Sequence, residues 1–204
     1  WAFISSITAT DYGDLKQGSV GPDEFLRPFY VQRQDSMDVV ITNEDPRVQT
    51  PSGFSQINMM QKLRFKPNDT WDFQYGFHYS ETSAYGRYDR HQRTRNGLPR
   101  YGEWDYGPQI WMMNNLNITH NTENSLFDEM AIRLAIQNFD ESRISRNFNE
   151  SNRETQTEKV YAYSGNLDFT KSLGERNQLF YGLEIVHNDV RSNGSITNID
   201  TGVT

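Results

Sequence analysis

From Trp71 to Tyr79 the chain alternates without a break. Trp71, Phe73, Tyr75, Phe77 and Tyr79 share one parity, and Asp72, Gln74, Gly76 and His78 share the other. Successive side chains of a β-strand point to opposite faces, so this run forms a strand with one wholly aromatic face and one polar face. The same period recurs along the chain. Ile57, Met59, Leu63 and Phe65 alternate with Gln56, Asn58, Lys62 and Arg64, with Met60 and Gln61 as exceptions. Met130, Ile132, Leu134 and Ile136 alternate with Glu129, Ala131, Arg133, Ala135 and Gln137. Tyr161, Tyr163, Leu167 and Phe169 alternate with Ser164, Asn166 and Asp168, and Leu179, Tyr181, Leu183 and Ile185 with Gln178, Gly182 and Glu184. A weaker run, Ile110, Met112, Leu116 and Ile118, is interrupted by Asn114, and residues 1–10 are strand-like with mixed faces.

Seven long strands are therefore expected, over residues 1–10, 53–66, 71–80, 109–119, 125–138, 159–171 and 177–189. The well-patterned runs match the ~9–11 residues that a tilted strand needs to cross a bilayer, whereas strands of soluble proteins average ~5–6. Composition agrees. Only 35% of residues are hydrophobic and mean hydropathy is −0.82, yet aromatics reach 13%. A wall that is wet on one side and greasy on the other has this balance. No stretch approaches the roughly 20 apolar residues of a spanning helix. The net charge of −7 disfavours a nucleic-acid partner, and the absence of Cys removes disulfides and thiolate metal sites. No cofactor, metal site or catalytic residue is assigned.

The connections alternate in length. Residues 66–70, 120–124 and 172–176 form tight turns, while residues 11–53, 81–108 and 139–158 are long and polar. Outer-membrane barrels have short periplasmic turns and longer extracellular loops, an order that a sandwich has no reason to keep. Within the first long segment, residues 29–41 read as a hairpin about Gln34-Asp35-Ser36. Seven strands cannot close a bacterial barrel, which has an even number, so the chain reads as an internal portion of a larger wall. On this reading Lys62, Arg64, Asp72, Gln74, His78, Glu129, Arg133, Asp168 and Glu184 face the lumen, and the aromatic parity faces lipid.

Several segments carry a resemblance. Tyr88-Asp89-Arg90, Arg95-Asn96-Gly97, Arg100-Tyr101-Gly102-Glu103-Trp104 and Tyr106-Gly107-Pro108-Gln109 together resemble TonB-dependent outer-membrane receptors of the Bacteroidota type. Ser5-Ser6, Tyr12-Gly13-Asp14-Leu15, Glu141-Ser142-Arg143 and Asn166-Leu167-Asp168 are similar to them as well. The resemblance implies an all-β fold, an antiparallel 22-stranded barrel in the outer membrane filled by a plug domain. It also implies uptake of a scarce nutrient (siderophore, haem, cobalamin, peptide or glycan) driven through the TonB-ExbB-ExbD complex. The present residues match the barrel alone, with plug, TonB box and signal peptide outside them. The rival readings are a soluble β-sandwich binding module and a passive porin.

The segment 81–108 also holds the candidate ligand contacts: Arg87, Tyr88, Arg90, Arg93, Arg95, Arg100, Tyr101 and Trp104. Guanidinium groups suit carboxylates and phosphates, and rings suit stacking. The same composition also suits a loop that packs on itself through Arg–aromatic contacts and ion pairs with Asp89, Glu103 and Asp105. His78 with Ser80, and His187 with Asp189, share strand faces, but no third group is identifiable that would make either pair a hydrolase.

Overall fold

The computed structural model describes residues Trp1–Thr204. Seven long strands form one antiparallel sheet: β1 (Ala2–Tyr12), β4 (Phe54–Phe65), β5 (Trp71–Thr82), β10 (Gln109–Asn121), β11 (Glu129–Asn147), β12 (Asn152–Ser172) and β13 (Gln178–Asn198). They pair in that order, each with the next, and β1 and β13 form the two edges. Between β1 and β4 lies the hairpin β2 (Phe29–Gln34) and β3 (Met37–Thr42), turning through Asp35 and Ser36 at positive φ. Between β5 and β10 lie β6 (Tyr85–Gly86), a single helical turn α1 (Tyr88–His91), the hairpin β7 (Thr94–Arg95) and β8 (Leu98–Pro99), and β9 (Tyr101–Tyr106). Strand β9 pairs with the far end of β11 and with β6.

The expected strands are all present, and the hairpin about Gln34-Asp35-Ser36 is there. One connection differs. Residues 139–158, expected as a long polar loop, continue β11 and β12 as a ladder from Asp140↔Lys159 to Ser145↔Glu154. They close in a tight turn, with Asn149 at φ 59° and the Glu150 N–H donating to the Asn147 carbonyl. The sequence hides this because both faces of that extension are polar: Asp140, Glu141, Ser142 and Arg143 leave no hydrophobic period to read. The strand expected from residue 125 begins instead at Glu129, and residues 122–128 form the turn.

Register fixes which side chains share a face. Leu63, Tyr75, Leu116, Leu134, Gly165 and Ile185 lie in one cross-strand row, and Phe65, Phe73, Ile118, Ile132, Leu167 and Leu183 in the next. All nine side chains expected in the lumen lie together on the opposite face. Neither face is covered by another layer. Only 12 of 204 residues are buried, and Trp104 and Ala131 are the only hydrophobic ones among them. Phe3 is 73% exposed and Leu183 62%, so the apolar face is open rather than folded against a second sheet.

Along the short-turn margin, aromatic rings touch in an unbroken chain from β1 to β13. Trp1 stacks on Phe65, Phe65 meets Phe73, Phe73 meets Trp71, and Trp71 stacks on His120 at 3.9 Å. His120 meets Phe127, Phe127 meets Phe169, and Phe169 stacks on Tyr181.

The apolar belt crosses the strands obliquely. Its lower margin lies at Trp1 on β1; on β13 it lies at Leu179, four residues below Leu183, which shares a row with Trp1's partner Phe65. Its upper margin lies at Ala9 on β1 but at Ile185 on β13, six residues below Arg191, which is in Ala9's row. A drop of four to six residues is about 13–20 Å, and six strand spacings are roughly 29 Å, so the strands lean about 25–35° from the belt's normal.

Candidate functional site

Beyond the belt, on the long-loop side, the irregular segments knit into a plate against the far ends of β11 and β12. Strand β9 aligns Trp104 with Ser145 and Glu103 with Arg146. Trp104 lies between two guanidinium groups, Arg87 at 5.3 Å and Arg90 at 5.2 Å, with Tyr106 edge-on at 5.2 Å. Arg87 also donates to Asp89 at 2.7 Å and to the Tyr106 hydroxyl at 3.0 Å. His91, buried at the end of α1, places Nε2 3.3 Å from an Asp105 carboxylate oxygen.

An ion-pair chain ties the plate to the first long segment. Asp200 pairs with Arg33 at 2.6 Å, Arg33 with Asp38 at 3.5 Å, and Asp38 with Arg146 at 2.7 Å. Arg146 then approaches Glu103 at 3.6 Å, and Glu103 binds Arg153 at 2.6 Å. Burial pushes the Asp38 and Glu103 carboxyls up. The guanidinium partners, Arg146 for Asp38 and Arg153 with Arg146 for Glu103, pull each down by more, so both lie below the usual carboxylate range. Burial lowers Arg146, but hydrogen bonding to Asp38 and the charge of Glu103 outweigh it and raise the guanidinium overall.

A second pin is Arg27, the most deeply buried large side chain, which donates to the carbonyls of Tyr88 and of Thr50, the latter at 2.6 Å. Burial pushes its guanidinium down to about 10 against the pull of Asp14 and Asp89, so it stays charged at neutral pH. Asp14 in turn accepts from the Thr50 hydroxyl and from the Ser52 and Gly53 N–H groups.

The eight residues expected to contact ligand therefore separate. Arg87, Arg90 and Trp104 are engaged with one another, and the Tyr88 carbonyl holds Arg27. Arg93, Arg95 and Arg100 are exposed, and Arg100 rests over the Tyr101 ring at 5.0 Å. The self-packing alternative describes the first group, with the Arg87–Asp89 pair as expected. Asp38, Arg146, Arg153, Arg27 and Asp200 had no sequence signal, because, Arg33 near Asp38 apart, their ion-pair partners and the carbonyls that Arg27 binds lie 23 to 167 residues away.

On the polar face of the sheet, Arg64 holds Asp72 through Nε at 2.9 and 3.0 Å, and Arg133 pairs with Asp168. Gln74 donates to Asp72 at 3.3 Å. The mixed signs expected there are thus joined in two cross-strand pairs, while Lys62, Glu129 and Glu184 enter no ion pair. The Ser80 hydroxyl donates to Asn58 at 2.7 Å rather than to His78.

No family model, no curated protein and no solved structure matches the chain.

Proposed function

We propose that this chain is part of the wall of an outer-membrane barrel, a TonB-dependent receptor that captures a scarce nutrient outside the cell and passes it to the periplasm. The observation that carries the reading is the uncovered apolar face with its chain of rings along one margin. In water such a face would collapse or aggregate. In a bilayer it is the wall's outer surface, and rings with polar tips gather at the interface. From Trp71 to Tyr79 the belt spans nine residues, eight steps of about 27 Å in all along the strand and about 23 Å high at a ~30° lean, close to the ~25 Å band of outer-membrane barrels.

The polar face suits water or a packed plug, since its charges carry both signs and two pairs, Arg64–Asp72 and Arg133–Asp168, are joined across strands. The receptor assignment, as against a passive porin, rests on the loop text around Arg100-Tyr101-Gly102-Glu103-Trp104. Capture by the loops would come first, then plug rearrangement coupled to TonB, then passage along the lumen.

The test uses the full-length protein in lipid vesicles with single cysteines and a water-soluble maleimide. Cysteines at Phe73, Tyr75 and Phe77 should stay unlabelled, and those at Gln74 and His78 should react. Equal labelling on both parities would overturn the membrane reading. Ligand uptake that survives loss of TonB would leave the wall and reject the receptor.

A further inference from the structure

The segment Arg93–Arg100 forms its own small hairpin. Thr94 faces Pro99 and Arg95 faces Leu98 around Asn96-Gly97, whose φ angles are 53° and 80°. The Arg100 N–H donates to the Arg93 carbonyl at 2.8 Å, which sets Arg93 opposite Arg100. Strand alternation sends Thr94 and Pro99 to one face and Arg93, Arg95, Leu98 and Arg100 to the other. Pro99 is buried, while all four residues of the second face are exposed.

Three arginines thus share one side of an eight-residue hairpin, two of them directly across from each other, an arrangement of like charges that repels, and Arg100 has only the Tyr101 ring, at 5.0 Å, beside its guanidinium. The chain carries an excess of seven negative charges, yet none of the three enters an ion pair. Other cations of the same plate do: Arg33, Arg87, Arg146 and Arg153 each hold a carboxylate. The repulsion is left for something outside the chain to relieve.

The spacing says what that is. The Cα atoms of Arg93 and Arg100 lie about 5.5 Å apart across the strands, and those of Arg93 and Arg95 about 7 Å apart along one, which leaves three long side chains on one face within reach of a common ligand. A carboxylate fills one guanidinium fork, whereas a phosphate has oxygens for two or three. We propose that Arg93, Arg95 and Arg100 form a receiving site for a phosphate-bearing ligand. The charge cluster stands on the hairpin alone; its place outside the cell rests on the membrane reading. On that reading the source is a soluble ligand rather than the bilayer's own phosphorylated glycolipid. The Phe148 N–H donates to the Arg100 carbonyl at 3.1 Å. Phe148 lies ten residues past Asn138, near the belt's upper margin, so the Arg100 end of the hairpin stands roughly 30 Å above that margin, well beyond the lipid phosphates.

The experiment is a calorimetric titration of the full-length protein in detergent with pyrophosphate. The triple variant R93Q/R95Q/R100Q should bind at least tenfold more weakly, with a shallower salt dependence. R176Q, which removes an exposed cation at the opposite end of the sheet, should stay within twofold of the parent. Heat-modifiable gel mobility verifies that each variant is folded. Equal affinity in the triple variant would overturn the site. Tighter binding of the parent to detergent-dispersed phosphorylated glycolipid than to pyrophosphate, lost together with pyrophosphate binding in the triple variant, would keep the site and overturn the soluble source. Surface labelling of a Thr94→Cys variant on intact cells tests the membrane placement separately: no labelling with pyrophosphate binding retained would reject the outward orientation and spare the site.

Discussion

Arg146 and Asp38, 108 residues apart, hold each other through two hydrogen bonds of 2.7 and 2.8 Å, with both side chains shut off from solvent. Asp38 also accepts the Asn149 N–H at 2.7 Å. Removing one partner strands a buried charge. Arg146→Met should therefore cost the loop plate about 3–5 kcal/mol, and joint replacement with Asp38→Leu should recover much of it. Protease susceptibility of the β2–β3 hairpin, compared across the two single variants and the double, measures both.

Gly102 makes room for that pair. A Cβ there would lie 2.5 Å from Asp38 Oδ2 and 2.6 Å from Arg146 Nη2. Gly102→Ala should push the two apart, at about 1–3 kcal/mol by analogy with overpacking elsewhere. The same protease assay should place it near Arg146→Met rather than near wild type.

Acid should loosen the plate before the sheet. Asp38 and Glu103 have carboxyls held below their ordinary values of 3.8 and 4.5. A lowered carboxyl contributes stability that is fully present above the ordinary value and is lost as pH falls through the lowered one. Cleavage of the loops should stay flat from pH 7 to about 5 and rise below about 4. Asp38→Asn should raise cleavage at neutral pH and flatten the acid limb.

Neighbouring residues on β5 should tolerate charge very differently. Tyr75→Arg near the middle of the belt should cost about 2–4 kcal/mol in folding into lipid vesicles, and Gln74→Arg far less. Tyr75→Arg also deprives Asn114 of the hydroxyl that donates to it at 2.6 Å. Similar folding free energies for the two would contradict the assigned faces.

Trp71 should report the interface directly. It stacks on His120 and Phe73 at the short-turn margin, whereas Trp104 is sealed in the plate. In vesicles, a variant whose only tryptophan is Trp71 should be quenched most by lipids brominated close to the headgroup. One whose only tryptophan is Trp104 should be insensitive to them.

The strands were legible where one face is apolar and the other polar. Trp71–Tyr79 and Met130–Ile136 carry their faces in the sequence because one parity is apolar and the other is not. Past Asn138 that contrast ends: β11 runs on for nine residues in which Phe139 and Ile144, on opposite faces, are the only large apolar side chains, and the period that announces a strand vanishes although the ladder persists. The hairpin at Asp35-Ser36 was readable because turn chemistry is local. The Asp38–Arg146 pair was not, since nothing near either residue specifies a partner in a different loop. For the same reason the arginines of residues 87–100 read as one group, and only the tertiary arrangement divides those stacked on Trp104 from those that enter no ion pair.

The slant of the belt constrains how such a wall can change. Each successive strand carries its greasy stretch about one residue lower than the last, so hairpins are not interchangeable bricks. Excising β10 and β11 and joining β5 to β12 would leave a step of nearly two residues where the margins should meet, with charged groups on one side facing hydrocarbon on the other. A shorter or longer descendant of this protein must slide its remaining strands to heal that dislocation, and any natural deletion of a hairpin here should be accompanied by a matching shift in its neighbours' registers.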